Sequence, residues 1–218
     1  MTRLRLPQVM LTNIDNVAVD LAALAVADCT RQIDFGGVLV LPPCPGKTYS
    51  ETLQTVVPQC FGICTHTLIV QYDSWVLDAA LWQDSWLEYD YIGAPWPWYK
   101  DDRMVGNGGF SLRSKRLMTF LAEHADEYPL LDPEDAFLCR HYRPALEALG
   151  FRWAPFDVAS AFAFEREPPR KAFGFHGMFN WPHVLSDAGL MERMTYSTKY
   201  VRSKPEWREI AAVRALEP

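Results

Sequence analysis

"HTLIVQYDSWVL", residues 66–77, is an apolar run that halts at one carboxylate, Asp73, with Gln71 and Ser74 close by. Aliphatic residues without polar alternation describe a strand buried on both faces, as in a parallel sheet covered by helices. "QVMLTNID" (8–15) repeats the pattern and ends on Asp15; "VAVDLAALAVADCTRQ" (17–32) follows with apolar residues at helical spacing behind the cap-like pair Asp15–Asn16. "GGVLVLPP" (36–43) is a further strand, stopped by two prolines, and "YSETLQTVVPQCFG" (49–62) reads as a helical turn or two broken at Pro58. After the 66–73 strand, "LDAALWQDSWLEY" (77–89) reads as a helix with Leu77, Leu81, Trp82 and Trp86 inward, and "YDYIGAP" (89–95) as a strand. Strand–helix–strand repetition predicts an α/β domain whose mostly parallel sheet is flanked by helices. Ligands of such sheets lie beyond the carboxyl ends of the strands, where Asp15 and Asp73 both fall.

Composition bounds what this domain can be. At 218 residues, 49% of them apolar and 22% charged, the chain has material for one sizeable core and too few charges for disorder. The net charge of −6 argues against unaided binding of long nucleic acid, which requires a basic face. "MTRLRLPQVMLTNID" meets Pro and Asn before any signal-length apolar core, so the odd set of five cysteines reads as reduced thiols in a cytoplasmic protein. Cys60 and Cys64 have no second pair at zinc-site spacing and read as core thiols. No stretch approaches the roughly 18 apolar residues of a membrane span.

Three nucleotide and hydrolase signatures are missing. "PGKT" (45–48) is a surface turn, because a phosphate loop needs glycine where Leu41 stands. Neither the glycine fingerprint of a dinucleotide site nor the Gly-x-Ser-x-Gly elbow of a serine hydrolase is present.

The second half carries denser signals. "WPWYKDDRMVGNGGFSLRSKR" (96–116) joins an aromatic cluster, a charged loop and a glycine-rich turn to the start of the helix "SKRLMTFLAEHA". Asn107, Gly108 and Gly109 permit a close backbone approach that side chains would forbid. "DPED" sets Glu134 and Asp135 at a helix start, where the dipole favours ionised carboxyls; they are a catalytic pair or simple helix-start acids. The helix runs on, with a bend at Pro144, to Gly150. "FRWAPFDVASAFAFE" (151–165) is apolar and β-prone, and "FGFHGMFNW" places His176 between glycines. Asp73 itself is either a helix cap or an oxygen ligand offered to a hard cation.

Taken in order, "IVQYDSWVL", "YDYIGAPW", "VGNGGFSLRS", "PEDAFLC" and "FGFHG" resemble the blocks of a bacterial and fungal domain family of unknown function, itself related to GT-A-fold glycosyltransferases. The resemblance spans roughly residues 8–181. It implies a GT-A-like, Rossmann-type α/β fold in a single domain over residues 1–185, with a nucleotide-binding half at about 8–95 and an acceptor half at about 96–185; the polar segment 186–218 beyond it reads as a mildly helical tail. The resemblance implies a glycosyltransferase that moves a sugar from a nucleoside-diphosphate sugar, expected to be UDP-linked, to a hydroxyl acceptor.

On that basis Asp73 and His176 are expected to hold Mn²⁺ or Mg²⁺, with Asp15, Gln71, Asn107, Gly108 and Gly109 about the nucleotide. Asp135, aided by Glu134, is expected to take the acceptor's proton in an inverting transfer, and Trp96, Trp98 and Trp181 to offer faces to the acceptor, unless they serve packing. The aspartate motif departs from Asp-x-Asp, since Gln71 stands where the first acid is usual. That substitution motivates a second reading, a transferase-like fold that only binds a sugar or nucleotide. A metal-dependent nucleotidyltransferase or phosphohydrolase is a third, though it would want more acids at the strand end.

Overall fold

The computed structural model describes residues 2–15, 17–41 and 46–214, with side chains to residue 210. Asn16, Pro42, Pro43, Cys44, Pro45 and the last four residues lie outside it, and with them the cap reading of Asn16, the double-proline stop and part of the "PGKT" turn.

The first strand, β1 (Leu4–Ile14), pairs in parallel with β2 (Ile33–Leu41) and β3 (His66–Val70). β5 (Tyr91–Gly93) and β6 (Phe110–Ser114) complete a five-stranded sheet of order β2-β1-β3-β6-β5. β6 runs antiparallel to both its neighbours, so the other four strands share one direction and the sheet is mixed but mostly parallel. A second, three-stranded sheet sets β8 (Gly174–His176) between β4 (Ser74–Val76) and β7 (Ala163–Phe164).

Helices cover the sheet where their apolar stripes dictate. In α1 (Val19–Gln32) Leu21, Ala22, Ala25 and Cys29 face inward, each fully buried leucine-sized side chain contributing about 1.5–3 kcal/mol. α2 (Tyr49–Thr55) starts with a capping box in which Thr48 and Glu51 satisfy each other's backbone N–H, and the chain then tightens into a 3-10 turn at Val57–Cys60 about Pro58. Cys64 is buried there, whereas Cys60 is exposed and is no core thiol. Ser114 caps α3 (Lys115–Glu123), which buries Leu117, Met118 and Leu121. The "DPED" segment opens α4 (Glu134–Ala136), which passes through a π-helical stretch (Phe137–Tyr142) into α5 (Arg143–Ala148); Gly150, at φ 87°, takes the chain out in the left-handed region.

Two elements differ from expectation. Residues 77–89 form two short 3-10 turns, Ala79–Leu81 and Asp84–Glu88, because β4 occupies the preceding residues and Gln83 is extended; only Trp86 of the expected inward set is fully buried. The β-prone run 151–165 has a helix at its centre, α6 (Phe156–Phe162), leaving β7 two residues long. Its apolar residues fill the core in either conformation, and periodicity over so short a run does not separate the two.

The C-terminal segment winds through α7 (Trp181–Val184), α8 (Asp187–Tyr196), α9 (Lys199–Ser203) and α10 (Glu206–Arg214). It packs on the main core through Leu190, Val201 and Ile210. Arg193 pairs with Asp28 of α1 and lays its guanidinium 4.1 Å from the ring centroid of Trp75. Among the described residues no helix is long and apolar enough to cross a membrane.

Asp90 ties the sheet's opposite end together. Its carboxylate accepts from Ser114 Oγ at 2.5 Å, from Arg116 at 2.5 and 3.2 Å, and from the Arg152 N–H at 2.8 Å. Burial alone would raise its pKa, but these donors outweigh burial and hold it below the ordinary carboxylate value. A depressed pKa stabilises the fold above the unfolded value of about 4 and loses that contribution as pH falls through the native value. Asp90→Asn is therefore expected to cost about 1.5–3 kcal/mol in urea unfolding at neutral pH, and less as the medium is acidified below about pH 4. Equal midpoints for the two proteins at neutral pH would refute this.

Candidate active site

β3 ends at Val70, and Gln71–Tyr72–Asp73 forms a tight turn into β4. Ser74 closes the turn by accepting from the Gln71 N–H at 2.8 Å and donating to the Gly109 carbonyl at 2.7 Å. β4 then pairs with β8 in a register that sets Ser74 opposite His176. Residues more than a hundred positions apart in the sequence thereby meet: His176 Nε2 lies 3.5 Å from Asp73 Oδ1 and 3.3 Å from Gln71 Oε1.

Asp73 is 7% exposed. Its Oδ2 accepts from the Met178 N–H at 3.2 Å, while Oδ1 is buried without a hydrogen-bond partner. Burial raises its pKa, and the neighbouring imidazole limits the rise. Burial would conversely depress His176, but Asp73 and Glu165 prevail and bring it to about 9, so the ring carries a proton at neutral pH. Glu165 Oε1 is 3.0 Å from Nδ1, and Asn107 Nδ2 is 2.8 Å from the same atom. As N–H, Nδ1 donates to Glu165; as a lone pair it accepts from Asn107, so the two contacts belong to different protonation states.

The glycine turn backs this ring. Asn107 sits at φ 48°, with Oδ1 accepting from the Phe110 N–H. A Cβ on Gly109 would stand 2.1 Å from His176 Nε2 and 2.8 Å from Gln71 Oε1, so only glycine allows the imidazole so close.

Asp15, Gln71, Asp73 and His176 all line one cleft, of about 770 Å³, at the carboxyl ends of β1 and β3. Asp15 also accepts from the N–H groups of Val17 and Ala18 at 2.8 and 2.6 Å, which starts α1. Trp98, 53% exposed, forms part of the wall, stacked on Trp96 at 6.2 Å. Its loop is held by Arg140, which grips the Asp101 carboxylate through two contacts of 2.7 Å and covers the Tyr99 ring at 3.7 Å.

Other expected residues lie elsewhere. Trp96 and Trp181 are 5% and 0% exposed and pack in the core, so neither offers a face to a ligand. Glu134 is buried in a bidentate pair with Arg113, at 2.8 and 3.2 Å, which occupies both its oxygens. Asp135 accepts from the N–H groups of Gly108 and Ala136 at 2.9 and 2.8 Å and is not among the cleft's lining residues. Instead of facing an acceptor, the acid pair supports the glycine turn, because the helix start abuts it: a Cβ on Gly108 would stand 2.3 Å from Glu134 Oε1.

Glu165 is the residue that sequence reasoning missed. It lines the cleft, and its Oε2 is buried without a partner. The signal was available: "FAFE" ends an apolar run on a carboxylate, just as the run before Asp73 does.

Asp73 and His176 could supply two of the ligands of a divalent cation. Asp73 Oδ1 lacks a partner, and its separation from Nε2 is close to the roughly 3 Å between two neighbouring ligands each about 2.1–2.2 Å from one metal. Among the described residues there is no group of three or more His, Cys, Asp or Glu placed to hold a metal ion. Such a partial set is usual where substrate phosphates supply remaining ligands.

No curated protein matches the chain. A solved structure of a glycosyltransferase involved in the glycosylation of the major capsid of PBCV-1 is similar with a TM-score of 0.48 and 11% identity, over 87% of this chain and 99% of that one. A family model described as "Protein of unknown function (DUF5672)" matches residues 54–176, more than half of the chain, and includes Gln71, Asp73, the glycine turn, Glu165 and His176. The chain belongs to this family of unknown function.

Proposed function

We propose that the chain is a glycosyltransferase that moves a sugar from a UDP-linked donor to a hydroxyl acceptor. The observation that carries this reading is the buried Asp73, its Oδ1 unpartnered beside His176, opening on a ligand-sized cleft at the carboxyl ends of parallel strands. The resemblance of the sequence blocks to a family related to GT-A-fold glycosyltransferases supplies the reaction class.

Mn²⁺ or Mg²⁺ would be held by Asp73 and by the His176 imidazole once it has released its proton, with Gln71 alongside, and when bound would neutralise charge on the departing diphosphate. The cleft itself favours this. Its acids, Asp15, Asp73, Asp132, Glu165 and Glu206, outnumber its basic side chains Arg166 and Lys204, so an anionic donor enters more readily with a cation. Trp98 presents an aromatic face to pyranose C–H groups. The acceptor's proton we assign to Glu165 Oε2 in place of Asp135, since Glu165 lines the cleft and its other oxygen is anchored at His176. A base so placed suits inversion at the anomeric carbon.

Calorimetry with UDP and Mn²⁺ tests the binding half. The wild-type chain is expected to bind UDP in a metal-dependent manner and Asp73→Ala at least about 10-fold more weakly, the scale of one charge-assisted contact. Equal affinity in both proteins would remove Asp73 from the site. For the chemical half, Glu165→Gln is expected to retain UDP binding and lose about 10²-fold in transfer, with an inverted product anomer by NMR. Near-normal turnover would exclude Glu165 as the base.

A further inference from the structure

One wall of the cleft comes from beyond the family-matched stretch: Tyr200 on α9, Lys204 in the turn after it and Glu206 at the start of α10. The wall is firmly seated, since Val201 and Ile210 on the same two helices are both 0% exposed. Its charges are unequally committed. Arg166 bonds Glu206 at 3.2 Å and Glu209 at 3.0 Å, and His176 faces Asp73 and Glu165. Lys204 forms no ion pair with any described residue; its ammonium stands 4.6 Å from the centroid of the Tyr200 ring.

An ammonium placed over an aromatic face is oriented by the ring but keeps its N–H donors for another partner. In a cleft where acids are in excess, a diphosphate needs every uncommitted positive group. Arg166 does not qualify, because recruiting it would leave Glu206 and Glu209 without their partner.

We propose that Lys204 is a phosphate-binding residue of this cleft, donating from Nζ to the diphosphate oxygens of the nucleotide while Tyr200 aims it. The C-terminal helices are then part of the donor site. The proposal rests on the nucleotide-sugar reading above, and it adds a residue and a segment to it. A lysine suits the task because its compact charge adapts to phosphate oxygens without a fixed geometry.

The test is calorimetry of UDP with Mn²⁺ on the full chain, its Lys204→Met variant and its Lys204→Arg variant, with thermal melts to establish that all three fold. Lys204→Met is expected to weaken UDP binding by about 10- to 100-fold, and Lys204→Arg to recover most of the loss. Wild-type affinity in Lys204→Met overturns the role of Lys204 and leaves the functional reading standing. An arginine variant as weak as the methionine variant also overturns it, since charge would then not be the cause. A wild-type chain that binds no UDP with Mn²⁺ removes both.

Discussion

A carboxylate removed from water must be compensated or it will not remain charged, and the organisation about Asp73 follows from that constraint. One oxygen is met by a backbone N–H and the other faces an imidazole that the β4–β8 ladder delivers. The imidazole would itself lose its proton on burial, and is kept charged by two carboxylates, Asp73 and Glu165. Both carboxylates hold the proton on the imidazole, and the imidazole in turn limits the rise in the pKa of Asp73. Their positions come from strands and a closed turn, and such elements hold reacting groups more tightly than free loops do.

A second buried pair supports the first from behind. Arg113, 0% exposed on β6, joins Glu134 at the start of α4, and Asp135 beside it takes the Gly108 N–H. Removing one member of such a pair leaves an uncompensated buried charge, at a cost of about 3–5 kcal/mol. The result is a rigid floor under Asn107 and Gly109, against which the His176 ring rests. Acids that resemble catalytic groups by their spacing thus serve the geometry of other residues.

Much of this was legible in the sequence where a signal was local. The apolar runs before Asp15 and Asp73 showed both the sheet and the end at which its cleft lies, and the crowding of glycines at 106–109 marked a close approach. Other features depend on partners far away in the chain. Nothing in "DPED" reveals that Arg113 will claim Glu134, and the spacing of Leu77, Leu81 and Trp86 fits a helix until β4 takes the residues before it. Trp181 and Trp98 look alike in sequence, yet one is sealed in the core and the other stands in the cleft. Side-chain identity states what a residue can do, while burial, which is set by the whole fold, decides whether it does.

The wall formed by Tyr200 and Lys204 has a consequence for biosynthesis. When the chain has emerged from the ribosome as far as Asn180, every member of the Asp73–Glu165–His176 cluster is free to fold, but the helices that bound the cleft on its far side have not yet emerged. Val201 and Ile210, and Arg193 with its partner Asp28, fill gaps in a core begun by α1 near the start of the chain. The nascent protein therefore holds this cluster in an unfinished cleft, whose wall is complete only when the helices that carry Tyr200, Lys204 and Glu206 have docked.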